Sequence, residues 1–142
     1  MELKIGTYVL NTDVEAARAL AEAAEIKVER DVEAHRRNFL EAVKALPAAV
    51  QEFLAPLGLD VNHPYVISEN GKSEDGRYWY TAWYYMPGTI EQLGQEIAVT
   101  EDCFCEFQKF CFRVPEDFPA PRFQVNLDLC LPWVLEEADP KA

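Results

Sequence analysis

Residues 78–86 read Tyr-Trp-Tyr-Thr-Ala-Trp-Tyr-Tyr-Met, and this stretch constrains the fold more than any other part of the chain. Aromatic and β-branched side chains suit a pleated surface, and successive side chains of a strand point to opposite faces. Tyr78, Tyr80, Ala82, Tyr84 and Met86 then share one face, and Trp79, Thr81, Trp83 and Tyr85 share the other. Neither face is polar. Either both faces are covered, or one aromatic face is presented as a contact surface.

A second stretch alternates cleanly. Phe123, Val125, Leu127, Leu129 and Leu131 fall on one face, and Gln124, Asn126, Asp128 and Cys130 on the other. That pattern predicts a half-buried strand with one wet face. Further strands are expected over residues 2–10, from Tyr65 to Ile67, over 96–99, and from Cys103 to Val114. Asn70-Gly71 and Asp75-Gly76 are hairpin dipeptides. Pro87 and Gly88 are expected to end the aromatic strand, and Thr89 with Gln92 could cap one helical turn.

The region 12–58 reads differently. Thr12 and Glu15 have capping-box spacing, so a helix is expected from Val14. Val14, Ala17, Ala21, Ala24, Val28 and Val32 recur at helical intervals, and Phe39, Val43 and Leu46 continue the stripe. This helix either runs unbroken to Leu46 or breaks near Glu25, where Ile26 and Val28 alternate with charges. Pro47 suits the first turn of a further helix carrying Val50, Phe53, Leu54 and Leu57, with Gly58 as its stop.

One domain over residues 1–142 follows, with a helical part at about 12–58, a strand-rich part at about 62–132 and a polar, frayed tail from Glu136. Its class is α+β in two layers, an antiparallel sheet of about five or six strands with two or three N-terminal helices on one face. At 142 residues such a chain can bury a sizeable core without staples.

Charge narrows the choice of partner. Asp plus Glu number 25 against 13 Lys plus Arg, a formal net charge of −12. Residues 1–64 hold 11 acids and 7 bases, whereas residues 65–142 hold 14 and 6, so the excess lies in the second half. Nucleic acid and anionic membranes are poor partners for such a surface, because binding them needs cations that displace counterions. A protein with a basic surface fits. The bland reading of the same charge is solubility.

Chemistry-bearing motifs are sparse. Cys103, Cys105, Cys111 and Cys130 lack the spacing of a zinc knuckle and are expected to be free thiols. His35, beside Arg36 and Arg37, is expected on a solvated helix face, and His63 in a loop is expected to be structural. Glu25, Glu29 and Glu33 step by four along a helix, where Lys27, Arg30 and Arg36 supply ordinary surface partners. No nucleophile elbow, phosphate-binding glycine loop, dinucleotide fingerprint or zinc-protease helix is present. The N-terminus does not read as a signal peptide, which makes the cytoplasm the default compartment. No cofactor, metal site or catalytic residue is expected.

The expectation is therefore a small acidic cytoplasmic binding protein, of the inhibitor, immunity-protein or anti-defence kind, that docks on a basic protein. Its interface candidates are Trp79, Trp83, Tyr85 and the loop acids Glu101, Asp102, Glu116 and Asp117. The alternative is a small-molecule-binding domain or small enzyme that uses Tyr78–Met86 as a pocket wall.

Overall fold

A computed structural model of the chain describes residues 1–28 and 33–140. Among these residues eight strands and three α-helices follow in chain order: β1 (Glu2–Ile5), β2 (Tyr8–Thr12), α1 (Val14–Ala23), β3 (Lys27–Val28), α2 (Glu33–Ala42), α3 (Ala48–Leu54), β4 (Val66–Lys72), β5 (Tyr78–Gln92), β6 (Ile97–Thr100), β7 (Cys103–Gln108) and β8 (Arg122–Leu131). The sheet runs β1-β2-β5-β8-β7-β6, with β4 also paired to β5 and β3 to β4. Every pairing is antiparallel except that of β3 with β4. The class is α+β, as the alternation and the helical stripe require.

β5 and β8 are the spine. They pair continuously from Tyr78–Leu131 to Pro87–Arg122. The face that carries Tyr78, Tyr80, Ala82, Tyr84 and Met86 is fully buried, and Leu127 and Leu129 of β8 and Cys103 and Cys105 of β7 extend it. α2 lies on this face. Phe39 packs edge-on against Tyr80 with ring centroids 5.7 Å apart, and Asn38 Nδ2 donates to the Tyr80 hydroxyl at 3.1 Å. The segment after α3 closes the next stretch, where the Tyr84 hydroxyl donates to the Asp60 carbonyl at 3.0 Å. α1 packs on β5 and α3 on β6. The sheet curls enough to bring Tyr8 of β2 against Phe107 of β7, at 4.9 Å.

Several local expectations are corrected. The first strand is a hairpin, because Gly6 turns the chain at φ +58° between β1 and β2. Asp13, not Thr12, caps α1, its Oδ1 accepting from Ala16 N at 3.1 Å. Thr12 is instead buried in β2 and donates to the Pro87 carbonyl. Of the two readings of the long helix, the break near Glu25 holds: α1 ends at Ala23, Ala24 is already extended, and Lys27 N bonds to the Tyr65 carbonyl at 2.9 Å. Of the expected stripe, Ala17 and Ala21 are buried in α1 and Val28 lies in β3, while Val32 falls outside the described residues, as do Glu29 and Arg30 of the expected charge series.

α3 follows Pro47 as expected, and Gly58 stops the tight turn after it at φ +76°. A Cβ on Gly58 would lie 2.6 Å from the Val14 carbonyl oxygen, so the site needs glycine for space as well as for conformation.

β5 does not stop at Pro87-Gly88, and Thr89–Gln92 is strand, not helix. Gly88 (φ +127°) lets the backbone of β5 press against Asn11, and the strand continues as the partner of β2, with a register shift between Val9 and Leu10. Gly76, not Asn70-Gly71, makes the β4–β5 turn, and Asn70-Gly71 lies at an irregularity within β4. Among the described residues, no helix is long and apolar enough to cross a membrane.

Candidate functional site

The second face of the sheet holds the candidate site. From β5 it takes Trp79, Thr81 and Trp83, and register sets Cys130, Asp128 and Asn126 of β8 opposite them. β7 adds Phe104 beside Asp128 and Glu106 beside Asn126. Trp79 and Phe104 form one ring pair, tilted by 36° with centroids 6.3 Å apart. Trp83 and Phe112 form a second, tilted by 38° at 6.3 Å. Phe110 stands edge-on to Phe112 at 4.9 Å. Trp79, Trp83 and Phe104 are half-buried, whereas Phe110 is 66% exposed and Phe112 54%.

Polar side chains between the rings bond to one another. Asn70 Nδ2 donates to Thr81 Oγ1 at 2.6 Å, and Thr81 Oγ1 donates to Asp128 Oδ1 at 2.6 Å. A second row runs from Gln124 Nε2 to Asn126 Oδ1 (2.6 Å) and from Asn126 Nδ2 to Gln108 Oε1 (2.8 Å). Gln124 Oε1 also accepts from Phe112 N at 2.7 Å, and Gln108 Nε2 donates to the Phe110 carbonyl at 3.0 Å. These two bonds carry the segment 109–112 along the sheet, where Phe112 meets Trp83 and Phe110 meets Phe112. The wet face expected for β8 is therefore wet only in part, with Gln124 and Cys130 buried.

The sequence candidates divide. Trp79 and Trp83 lie on the face and reach solvent. Tyr85 does not: it is fully buried, ringed by Tyr65 at 5.0 Å and Phe118 at 6.1 Å, and its hydroxyl donates to the Phe112 carbonyl. It supports the face from beneath. Glu101 and Asp102 lie in the β6–β7 turn, near the Tyr78 end of β5, where Cys130 N bonds to the Asp102 carbonyl at 3.0 Å. Asp102 is paired with Arg77 through both carboxylate oxygens, at 2.8 and 3.2 Å, while Glu101 is exposed. Glu116 and Asp117, both exposed, lie next to Phe118, whose ring packs on Tyr85 midway along β5. The two acidic pairs thus lie beside different parts of β5, one near its Tyr78 start and one near its middle.

Phe104, Phe110 and Phe112 were not among the sequence candidates. Cys103 to Val114 reads as one strand, but β7 stops at Gln108 and the chain bends, which turns Phe110 and Phe112 outward. Lys109 and Arg113 flanking an apolar triplet were the available signal.

The histidines are hydrogen-bonded within the fold, and three of the four thiols are buried. His35 is not on a solvated face. It is 1% exposed, with Nδ1 2.8 Å from the Tyr80 hydroxyl, Nε2 3.4 Å from Glu69, and Trp133 edge-on at 5.4 Å. His63 Nε2 meets the Ala24 carbonyl at 2.7 Å. Cys103 and Cys105 face the core and Cys130 the opposite side of the sheet, so the thiols do not converge. Burial pushes the Cys103 thiol up to about 12 and the Cys105 thiol well above its ordinary value.

The tail is tied rather than frayed. Val134 N bonds to Asn38 Oδ1 at 2.7 Å, Trp133 Nε1 to the Glu137 carbonyl at 2.9 Å, and Asp139 meets Lys72 at 3.1 Å. In comparisons with protein-family models, curated proteins and solved structures, the chain matches none.

Proposed function

We propose that this chain is a small acidic binding protein that docks on a basic surface of another protein, in the manner of an inhibitor or immunity protein, and acts in the cytoplasm. The observation that carries the reading is the sheet face itself. It offers two half-exposed indoles and the exposed Phe110 and Phe112, while the charged side chains at its centre, Glu106 of β7 and Asp128 of β8, are acidic, and Arg122 at the start of β8 is held to the Phe118 carbonyl. Tryptophan with neighbouring rings supplies most of the energy at protein interfaces, and acidic rims select basic partners. Nucleic acid is not the partner in this reading, because Trp79 and Trp83 have no Lys or Arg opposite them on β8 to replace condensed counterions. Four unbridged cysteines suit a reducing compartment.

Capture from a lysate of the native host tests it, with the wild type and Phe110→Ser/Phe112→Ser run side by side. Both phenylalanines are exposed, so the variant keeps the core. The expected result is a basic protein held by the wild type and lost by the variant. A partner held equally by both, or an acidic one, overturns the reading.

A further inference from the structure

A cavity of about 410 Å³ lies where α1, the start of β4 and the end of the aromatic stretch of β5 meet the segment 113–118. Its volume falls within the range of small-molecule sites, roughly 300–1,000 Å³. Tyr65, Tyr85 and Phe118 line it with rings, and Leu20, Ala24 and Val66 add aliphatic wall.

Tyr65 is the unusual member. It is 3% exposed, and its hydroxyl is the one buried side-chain polar atom among the described residues with no hydrogen-bond partner. Buried hydroxyls are nearly always paired, because leaving one unpaired forfeits its hydration with nothing in return. The neighbouring tyrosines obey the rule: Tyr84 donates to Asp60, and Tyr85 to Phe112. Burial also pushes the Tyr65 phenol above its ordinary value, so the group is a proton donor at any physiological pH. A second irregularity borders the same cavity. Arg113, which lines it, holds φ +54°, the left-handed region that non-glycine residues seldom occupy and that recurs at ligand clamps.

We infer that this cavity binds a small, neutral, planar ring compound that carries one hydrogen-bond acceptor, with the Tyr65 hydroxyl as its donor and Tyr85 and Phe118 as its ring contacts. Neutrality follows from the rim, where Lys27 and Arg113 are balanced by Glu25 and Asp117. The site is separate from the docking face and does not depend on it. Tyr85 joins the two, since its ring borders the cavity and its hydroxyl holds the backbone from which Phe112 projects.

Titration of the intact protein with benzamide, followed by NMR, tests the inference, with toluene, benzoate and benzylamine as comparison probes. Saturable benzamide binding is expected, tighter than that of the other three, with shifts centred on Leu20, Ala24, Val66 and Phe118. Tyr65→Phe removes an unpartnered hydroxyl and should weaken benzamide by about tenfold while leaving toluene unchanged. Absent benzamide saturation, or equal benzamide affinity in wild type and Tyr65→Phe, overturns the site. If Tyr65→Phe does not fold, Ala24→Leu decides: it narrows the cavity and should abolish binding, and retained affinity overturns the assignment.

Discussion

The two faces of one sheet solve the same problem in different ways. On the face under α2, rings and aliphatic chains meet side chains from another layer, and Tyr80, one of three tyrosines there, is bonded from above by Asn38 and His35. On the opposite face the polar side chains are bonded sideways, Asn70 to Thr81 to Asp128 and Gln124 to Asn126 to Gln108. A face satisfied laterally needs no covering layer. Its rings are held in place before any partner arrives, which lowers the ordering cost of binding.

Thiol labelling sets the faces most sharply apart. Cys103 and Cys105 are 0% exposed on the covered face, whereas Cys111 is half-buried in the segment beside Phe110 and Phe112. At neutral pH a maleimide should modify Cys111 first and reach Cys103 and Cys105 only through unfolding, slower by a factor on the order of a thousand. Similar rates at all three would show that the covered face is not packed.

The next comparison uses adjacent residues of β8. Leu127→Ala opens the core and should cost about 2–5 kcal/mol in denaturant unfolding. Asp128→Ala removes the Thr81 partner on the other face and should cost about 1 kcal/mol. Equal losses would erase the distinction between the faces.

The smallest effects belong to binding kinetics with a captured partner. Trp83→Ala should raise the dissociation rate about tenfold. Charge reversal at Glu101, or at Glu116 and Asp117 together, should lower association a few-fold and flatten its salt dependence. Asp102 is a poor choice for that test, because its reversal would also break the Arg77 pair. Association indifferent to salt and to these acids would leave the charge excess as solubility alone.

Alternation made the spine legible. The inward set Phe123–Leu131 and the faces of Tyr78–Met86 follow from a period of two, because both strands sit against a dry layer. What the sequence concealed depends on partners far along the chain. His35 looks solvated beside two arginines, yet Tyr80 and Trp133 bury it from 45 and 98 positions away. Pro87-Gly88 looks like an end, but the close approach of Asn11 turns it into a strand crossing from β4 to β2 as neighbours. Of the residues on the candidate face, Trp79 and Trp83 were legible from the alternation of β5. Phe110 and Phe112 were not, since no glycine or proline marks the bend after Gln108.

The central position of β8 also bears on synthesis. β5 and β7 both pair with β8, and β8 is made after every other strand. A growing chain therefore leaves one edge of β5 unpaired for as long as it takes to translate the stretch from Gln92 to Leu131, although α2 and Asp60, which cover Tyr80 and Tyr84, are made earlier. During that interval β5 has an open edge and β7 pairs with β6 alone. Completion of the sheet thus waits on Arg122–Leu131, the strand that β5 and β7 share, rather than on the propensity of any helix.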